Sequence, residues 1–179
     1  MSFQDSPSAY GSVSRLNHWI GALFVLLLLA IGLYFDELPK GDERSFVRKL
    51  HIAVGTIGIV FLLFRVFWRL RSPSPLPVPQ KPAMMLLARA VHGLLLTGIV
   101  LLAISGPLIQ WSGGRPFGVF NLLLIPSPFP PFESWKDGLE EFHAFVADGM
   151  LVLIGLHVLG VLKHQFIDRD KLLSRMTGR

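Results

Sequence analysis

The sequence contains no cysteine among its 179 residues. This absence excludes disulfides, iron–sulfur clusters bound by thiolates, and haem attached through a Cys-x-x-Cys-His motif. Any haem in this protein must therefore be bound non-covalently, with histidine or methionine as its axial ligands.

Charged residues are also scarce, at 16% of the chain, whereas 51% of the residues are hydrophobic. A soluble domain of this size could not easily bury so much apolar surface, but a bilayer would cover it. The first 14 residues carry no lysine or arginine. The apolar run behind them is too long for a signal peptide and has no small-residue cleavage site, so we interpret it as a retained membrane span.

Four apolar segments are long enough to cross a bilayer as helices. They lie between Arg15 and Asp36, Phe46 and Trp68, Ala90 and Gly114, and Asp137 and His164. In the third segment, Pro107 predicts either a kink or the end of the helix. We predict an all-α fold, a transmembrane four-helix bundle over residues 15–165, with a polar N-terminal tail (1–14) and a basic cytoplasmic tail (166–179).

Basic residues are concentrated at one predicted end of this bundle. The connection between the second and third spans has Arg65, Arg69, Arg71, Lys81 and Arg89, and the C-terminal segment has Lys163, Arg169, Lys171, Arg175 and Arg179. The other two loops mix both signs. The positive-inside rule therefore predicts that both termini are cytoplasmic. We interpret the net charge of +5 as a topology signal and predict no nucleic-acid binding.

Two loops are rich in proline. Residues 72–82 read SPSPLPVPQKP and are typical of a stiff, extended connector, although an SH3-type ligand is an alternative. Residues 115–135 are apolar, and we expect them to lie along the outer interface as a cap over the bundle.

Six histidines lie within or at the edges of the spans, where an unpartnered ring is unfavourable. His157 follows His143 by 14 residues, which is ~21 Å and nearly four turns, so both rings share one face of the fourth helix. Depth along the helices pairs His51 with His143 near the outer surface, and His18 with His157 near the inner surface.

Two histidines at each of two levels are typical of two six-coordinate haem b sites. Zinc is the alternative metal, but it usually needs three or four ligands in one cluster. Glycines near these histidines favour either a flat macrocycle or close helix packing. They are Gly21, Gly55, Gly58, Gly155 and Gly160.

The remaining polar groups of the spans have several interpretations. His92 and His164 lie in the cytoplasmic half, where they are candidates for hydrogen bonding to a quinone, and headgroup contact is the less favoured alternative for His164. Arg65 lies 14 residues after His51 and is a candidate for binding a haem propionate or for simple snorkelling. Asp148 has no assigned role.

Four segments carry a family resemblance: RLNHW, KLHIAVG, GLH-x6-H and FIDRDKLLSRM. Together they resemble the bacterial cytochrome b-561 family from about Ser14 to Met176. The resemblance implies a four-helix inner membrane protein with two b haems, held by His51 and His143 outside and by His18 and His157 inside. It also implies that His92 and His164 lie at a quinone site.

The best-characterised members of this family resemble superoxide oxidases, which implies electron transfer from periplasmic superoxide to membrane ubiquinone. Positive charge near the outer surface would attract the anion; the candidates are Arg115, Lys136, Arg48 and Lys49. The alternatives are a quinol-oxidising relay subunit for another redox protein and a non-redox bundle such as a small transporter. The lack of a broken-helix pair counts against the transporter.

Overall fold

Four long helices account for most of the protein in the computed structural model, which describes residues 3–170 and 172–178. Met1, Ser2, Lys171 and Arg179 lie outside the described residues, and the last two were counted above among the basic residues of the C-terminal tail. The helices are α1 (Ser12–Glu37), α2 (Asp42–Arg71), α3 (Pro82–Ser112) and α4 (Lys136–Leu162). All four spans are long and apolar enough to cross a membrane, so the predicted all-α transmembrane bundle is confirmed.

Shorter elements connect or extend these helices. They are a hairpin of β1 (Phe117–Val119) and β2 (Leu123–Ile125), a 3₁₀ turn (Glu133–Trp135), a π-helical turn (Lys163–Asp168) and α5 (Ser174–Thr177). The π-helical turn continues directly from α4. Its carboxyl end is closed by Arg169, which has a left-handed backbone conformation at φ 55°.

All four helices begin before the predicted apolar segments because the turns that precede these segments are also helical, whereas α3 and α4 each end two residues before the predicted limit. Asp42 and Glu43 lie in the first turn of α2, where negative charge complements the helix dipole. Pro82 begins α3, at a position where its missing N–H removes no hydrogen bond. At the other end, α3 continues past Pro107 to Ser112, so the proline does not end this helix.

The bundle is built from two helical hairpins, with α1 packed against α2 and α3 packed against α4. The closest contact between the hairpins is that of α2 with α3. Their shared core is a small cluster of Leu29, Leu62, Ile99 and Met150, one from each helix. Most other large apolar side chains are exposed, as expected where lipid covers the outer faces.

The two ends of the chain lie at the same end of the bundle. Trp19 Nε1, near the start of α1, donates a hydrogen bond of 3.1 Å to the carbonyl oxygen of Met176. Arg175 Nη1 donates one of 2.8 Å to the carbonyl of Leu76 in the proline-rich connector, and Leu76 N–H donates to the carbonyl of Pro7. The structure therefore agrees with the predicted topology, in which both termini and this connector share one side of the membrane.

At the opposite end, residues 115–135 cover the helices. The strand β1 contacts α2, and the Trp111 indole N–H donates to the carbonyl of Ile125 at 3.4 Å. The backbone N–H of Phe132 donates to the carbonyl of Ser112. The cap expected from the sequence is thus present, and it contains a two-stranded antiparallel hairpin within an otherwise helical fold.

The contact between α3 and α4 gives a test of the packing. A Cβ added at Gly98 would overlap Met150 Sδ, and Met150 is only 1% exposed. We expect Gly98→Ala to lower the free energy of unfolding in detergent by about 1–3 kcal/mol. Gly93→Ala is the matched control, because nothing lies within 4 Å of a Cβ there. An equal effect of Gly98→Ala in the Met150→Ala background would contradict this assignment of the strain.

Candidate functional site

Near the outer end of the bundle, α2 and α4 each direct one histidine toward the other helix. The rings of His51 and His143 have centroids 6.4 Å apart and planes inclined by 78°. His51 also lies against α1, since a Cβ at Gly32 would be 3.5 Å from His51 Cε1. The imidazoles expected at the outer level are therefore adjacent in the structure.

Near the inner end, α1 and α4 form a second pair. The rings of His18 and His157 have centroids 6.3 Å apart and planes inclined by 59°. The two pairs are built from different helices, yet their separations differ by only 0.1 Å, the difference between 6.4 and 6.3 Å. The fourth helix contributes one ring to each pair.

Both separations fit a metal ion held between two imidazoles. Two rings that bind one metal from opposite sides, each through a nitrogen at about 2 Å, have centroids about 6 Å apart. His51 Nδ1 is buried and has no hydrogen-bond partner in the described parts of the chain, which is unfavourable unless another group satisfies the ring. Neither pair has a third histidine or carboxylate positioned to complete a zinc-like cluster within residues 3–170 and 172–178. The donor sets therefore fit the iron of a haem better than zinc.

His143 has a hydrogen-bond partner that the sequence analysis missed. Ser105 Oγ on α3 lies 2.7 Å from His143 Nδ1. The same oxygen lies 2.8 Å from the carbonyl oxygen of Leu101, one turn earlier. A single serine in an uncharged span carries no sequence signal for this contact, because only the rotation of α3 about its axis directs it toward α4.

At the inner level, Arg65 reaches the pair from α2. Its Nη2 lies 3.0 Å from His18 Nδ1, and its side chain crosses α1 at Gly21, where a Cβ would be 2.5 Å from Arg65 Cδ. No carboxylate lies within ion-pair distance of this guanidinium in the described residues. Arg65 therefore places a positive charge beside the inner histidines without an acidic side chain to balance it.

The glycines near the histidines differ in their surroundings, so helix packing explains some of them and not others. Gly55 and Gly58 face Leu28 and Phe24 of α1, so they serve helix packing. Gly21 accommodates Arg65. No packing neighbour lies within 4 Å of a Cβ at Gly155 or at Gly160, so no described side chain packs against α4 at these two positions.

The two histidines proposed for a quinone are not brought together. The ring of His92 on α3 lies 5.2 Å from that of His157 and meets it edge to face. His164, in the π-helical turn, is in contact with carboxylates instead: its Nδ1 lies 2.6 Å from Asp170 Oδ2 and 3.2 Å from Asp168 Oδ2. Within the described ranges, no ring contact connects His164 with the inner pair.

The outer cations lie at the ends of the helices that face the cap. Arg48 precedes His51 by three residues, so it lies one turn above it on the same face of α2. The charged neighbours of Arg48 are Arg115, Glu140 and Arg44. Lys136 lies 3.6 Å from Glu140 in an ion pair, whereas Arg48, Lys49 and Arg115 form no ion pair with a carboxylate in the described residues.

Comparison with known sequences identifies relatives over nearly the whole chain. The family model for prokaryotic cytochrome b561 matches residues 9–179. Cytochrome b561 homolog 2 of Escherichia coli K12 is 35% identical over 181 aligned residues, which cover 100% of this chain and 96% of that protein.

Two further relatives have lower identity. The probable superoxide oxidase CybB of Yersinia pestis is 30% identical, over 89% of this chain and 90% of that protein. Cytochrome b561 homolog 1 of Escherichia coli K12 is also 30% identical, over 90% of this chain and 93% of that protein. With four membrane-spanning helices and a family match from residue 9 to residue 179, the chain belongs to the prokaryotic cytochrome b561 family, the multi-pass inner membrane proteins that bind b-type haem and transfer electrons.

Proposed function

We propose that this protein binds two b haems and transfers electrons from periplasmic superoxide to membrane ubiquinone. The observation that carries the proposal is the pair of histidine sites with matching ring separations, 6.4 Å outside and 6.3 Å inside. The two histidines that α4 contributes, His143 and His157, are 14 residues apart, or ~21 Å along the helix. The two sites therefore lie near opposite membrane surfaces.

His51 and His143 hold the outer haem, and His18 and His157 hold the inner one. When bound, each haem supplies an iron that accepts and releases one electron. With two histidines as ligands to each iron, the protein would leave no position for a substrate to bind the metal, which would suit electron transfer. Arg65 neutralises a haem propionate at the inner site, since its guanidinium has no acidic partner among the described residues and its planar fork matches a carboxylate.

At the outer surface, Arg48 and Arg115 attract the substrate. Superoxide is a small anion, and a local excess of positive charge raises its concentration near the outer histidines. Lys136 contributes less because Glu140 pairs with it at 3.6 Å. The name of the Yersinia pestis relative, a probable superoxide oxidase at 30% identity, supports this choice of substrate.

At the inner surface, His92 and His164 serve the quinone. Two superoxide anions each lose one electron and leave as O₂, while one ubiquinone gains two electrons and two protons to become ubiquinol. His92 lies beside the inner pair, 5.2 Å from the ring of His157. His164 lies further toward the cytoplasm with Asp170 at 2.6 Å, so this pair is suited to hold and transfer a proton.

The cap supports a second candidate, a relay that oxidises quinol and reduces a periplasmic partner protein. Leu122, at the turn between β1 and β2, is 89% exposed, and Leu123 and Leu124 beside it are also exposed. An apolar tip of this kind is a docking surface for such a partner. Slow reaction with superoxide together with rapid haem reduction by quinol would favour this candidate.

The axial assignments are tested by removing the histidines individually. We expect His143→Ala or His51→Ala to lose the outer haem and superoxide oxidation while the inner haem keeps its spectrum, because only one level loses a ligand. His164→Ala is the control and should keep the full haem content. Haem per chain and reduced-minus-oxidised spectra measure the outcome; both haems retained in His143→Ala would contradict the assignment.

The superoxide step is tested at the outer arginines. We expect Arg48→Gln combined with Arg115→Gln to slow haem reduction by superoxide about tenfold and to weaken its dependence on ionic strength, because steering by charge is lost. Haem reduction by quinol should be unchanged. Arg71→Gln, at the opposite end of α2, is the matched control. If superoxide reduces the haem at the same rate in the unaltered protein, the double variant and Arg71→Gln, these arginines have no steering role.

The quinone step is tested at the cytoplasmic turn. We expect His164→Ala to slow reoxidation of the reduced protein by ubiquinone by roughly 10²-fold, because proton transfer to the quinone loses its donor. Asp170→Asn should have a smaller effect of the same kind. Lys163→Ala, in the same turn, is the control, and stopped-flow absorbance measures the rate. Reoxidation at the unaltered rate in His164→Ala would show that His164 does not serve the quinone.

A further inference from the structure

Ser105 is a buried polar residue in the middle of an apolar span. It lies on α3, two residues before Pro107, and is only 3% exposed. Its hydroxyl oxygen makes two short contacts, to the carbonyl of Leu101 at 2.8 Å and to His143 Nδ1 at 2.7 Å, and a longer one of 3.5 Å to the carbonyl of Leu102.

The roles in this pair of hydrogen bonds follow from the number of protons. A serine hydroxyl has one proton, and a carbonyl oxygen can only accept. The Ser105 hydroxyl therefore donates to Leu101, and its oxygen accepts the Nδ1 proton of His143. In this tautomer the unprotonated nitrogen of His143 is Nε2, which is the nitrogen left to bind a metal.

The hydroxyls of Thr56 and Ser112 make no such second contact in the described part of the chain. Thr56 Oγ1 donates to the carbonyl of Ile52 at 2.8 Å, and Ser112 Oγ donates to that of Ile109 at 2.9 Å. These bonds satisfy the hydroxyl within its own helix, as is common for serine and threonine in membrane spans. Ser105 differs because its oxygen also reaches a histidine on the neighbouring helix.

We propose that Ser105 is a positioning residue for the outer haem: it orients the His143 ring, sets its tautomer and lowers the reduction potential of the iron that His143 binds. The inference rests on the proposed role of His143 as an axial ligand. A hydrogen bond donated by a ligand histidine makes its other nitrogen more basic, and a more basic ligand stabilises the ferric form.

The inner site has the opposite electrostatic environment. Arg65 Nη2 donates a hydrogen bond of 3.0 Å to His18 Nδ1, which leaves the ring proton of His18 on Nε2, so this bond must open for Nε2 to bind a metal. The guanidinium remains on α2 beside the inner pair, where a positive charge stabilises an added electron. Ser105 therefore lowers the potential of the outer site while Arg65 raises that of the inner one. The difference favours electron movement from the periplasmic side toward the quinone side, which is the direction that superoxide oxidation requires.

The test compares Ser105→Ala with Ser105→Thr and Ser112→Ala in a potentiometric titration of the purified protein. We expect Ser105→Ala to increase the equilibrium constant for reduction of the outer haem about tenfold. For a one-electron couple this equals a positive shift of the midpoint potential by ~59 mV. The inner midpoint should stay unchanged. Ser105→Thr keeps a hydroxyl and should restore the outer value, and Ser112→Ala should shift neither.

The outer component is identified as the one missing from His143→Ala. An unchanged outer midpoint in Ser105→Ala with both haems bound overturns the inference, as does an equal loss of haem in Ser105→Ala and Ser112→Ala. Loss of the outer haem in Ser105→Ala alone, with recovery in Ser105→Thr, supports it. Failure of the proposed site is distinguishable, because His143→Ala would then retain both haems.

Discussion

An imidazole ring within a bilayer is stable only when other groups satisfy its nitrogens, and this constraint organises the whole bundle. Each of α1, α2 and α3 carries one histidine within its span, and α4 carries two. The rings do not face lipid separately; four of them meet in two cross-helix pairs, and His92 meets the inner pair from α3. Apolar contact in the bundle is correspondingly modest, because the core cluster contributes a single residue per helix.

The space between the two histidine levels is filled by packing around Met150. This residue lies seven positions from both His143 and His157, so it is midway between the levels on the same helix. Its side chain lies in contact distance of Gly98 on α3, and the absence of a Cβ there lets the two helices approach closely. The apolar core thus serves as a spacer that keeps the two levels apart while excluding water between them.

The two ends of the bundle differ in their polar groups, and the proposed direction of electron transfer rests on this difference. The outer end has the hairpin cap and two arginines near the outer histidines, an arrangement suited to an anionic donor. The inner end has the chain termini, the proline-rich connector and a histidine held by two aspartates. The polar groups that contact the histidines also differ between the two ends: a serine hydroxyl contacts His143, and an arginine guanidinium contacts His18.

What the sequence determined by itself was depth. The rise of an α-helix per residue is constant, so the positions of His18, His51, His143 and His157 along their spans were sufficient to predict which rings share a level, and their adjacency follows in the structure. The four spans and the common side of the termini were likewise predictable from apolar length and loop charge.

Only the tertiary structure decided how the helices face one another. It showed that Ser105 faces His143 and that Gly55 and Gly58 pack on α1. It also showed that His92 contacts His157 while His164 contacts Asp170, and that residues 115–135 contain a hairpin. The physical reason is that these contacts depend on the rotation of each helix about its axis and on side-chain packing between helices, and neither is encoded in the spacing of residues along one span.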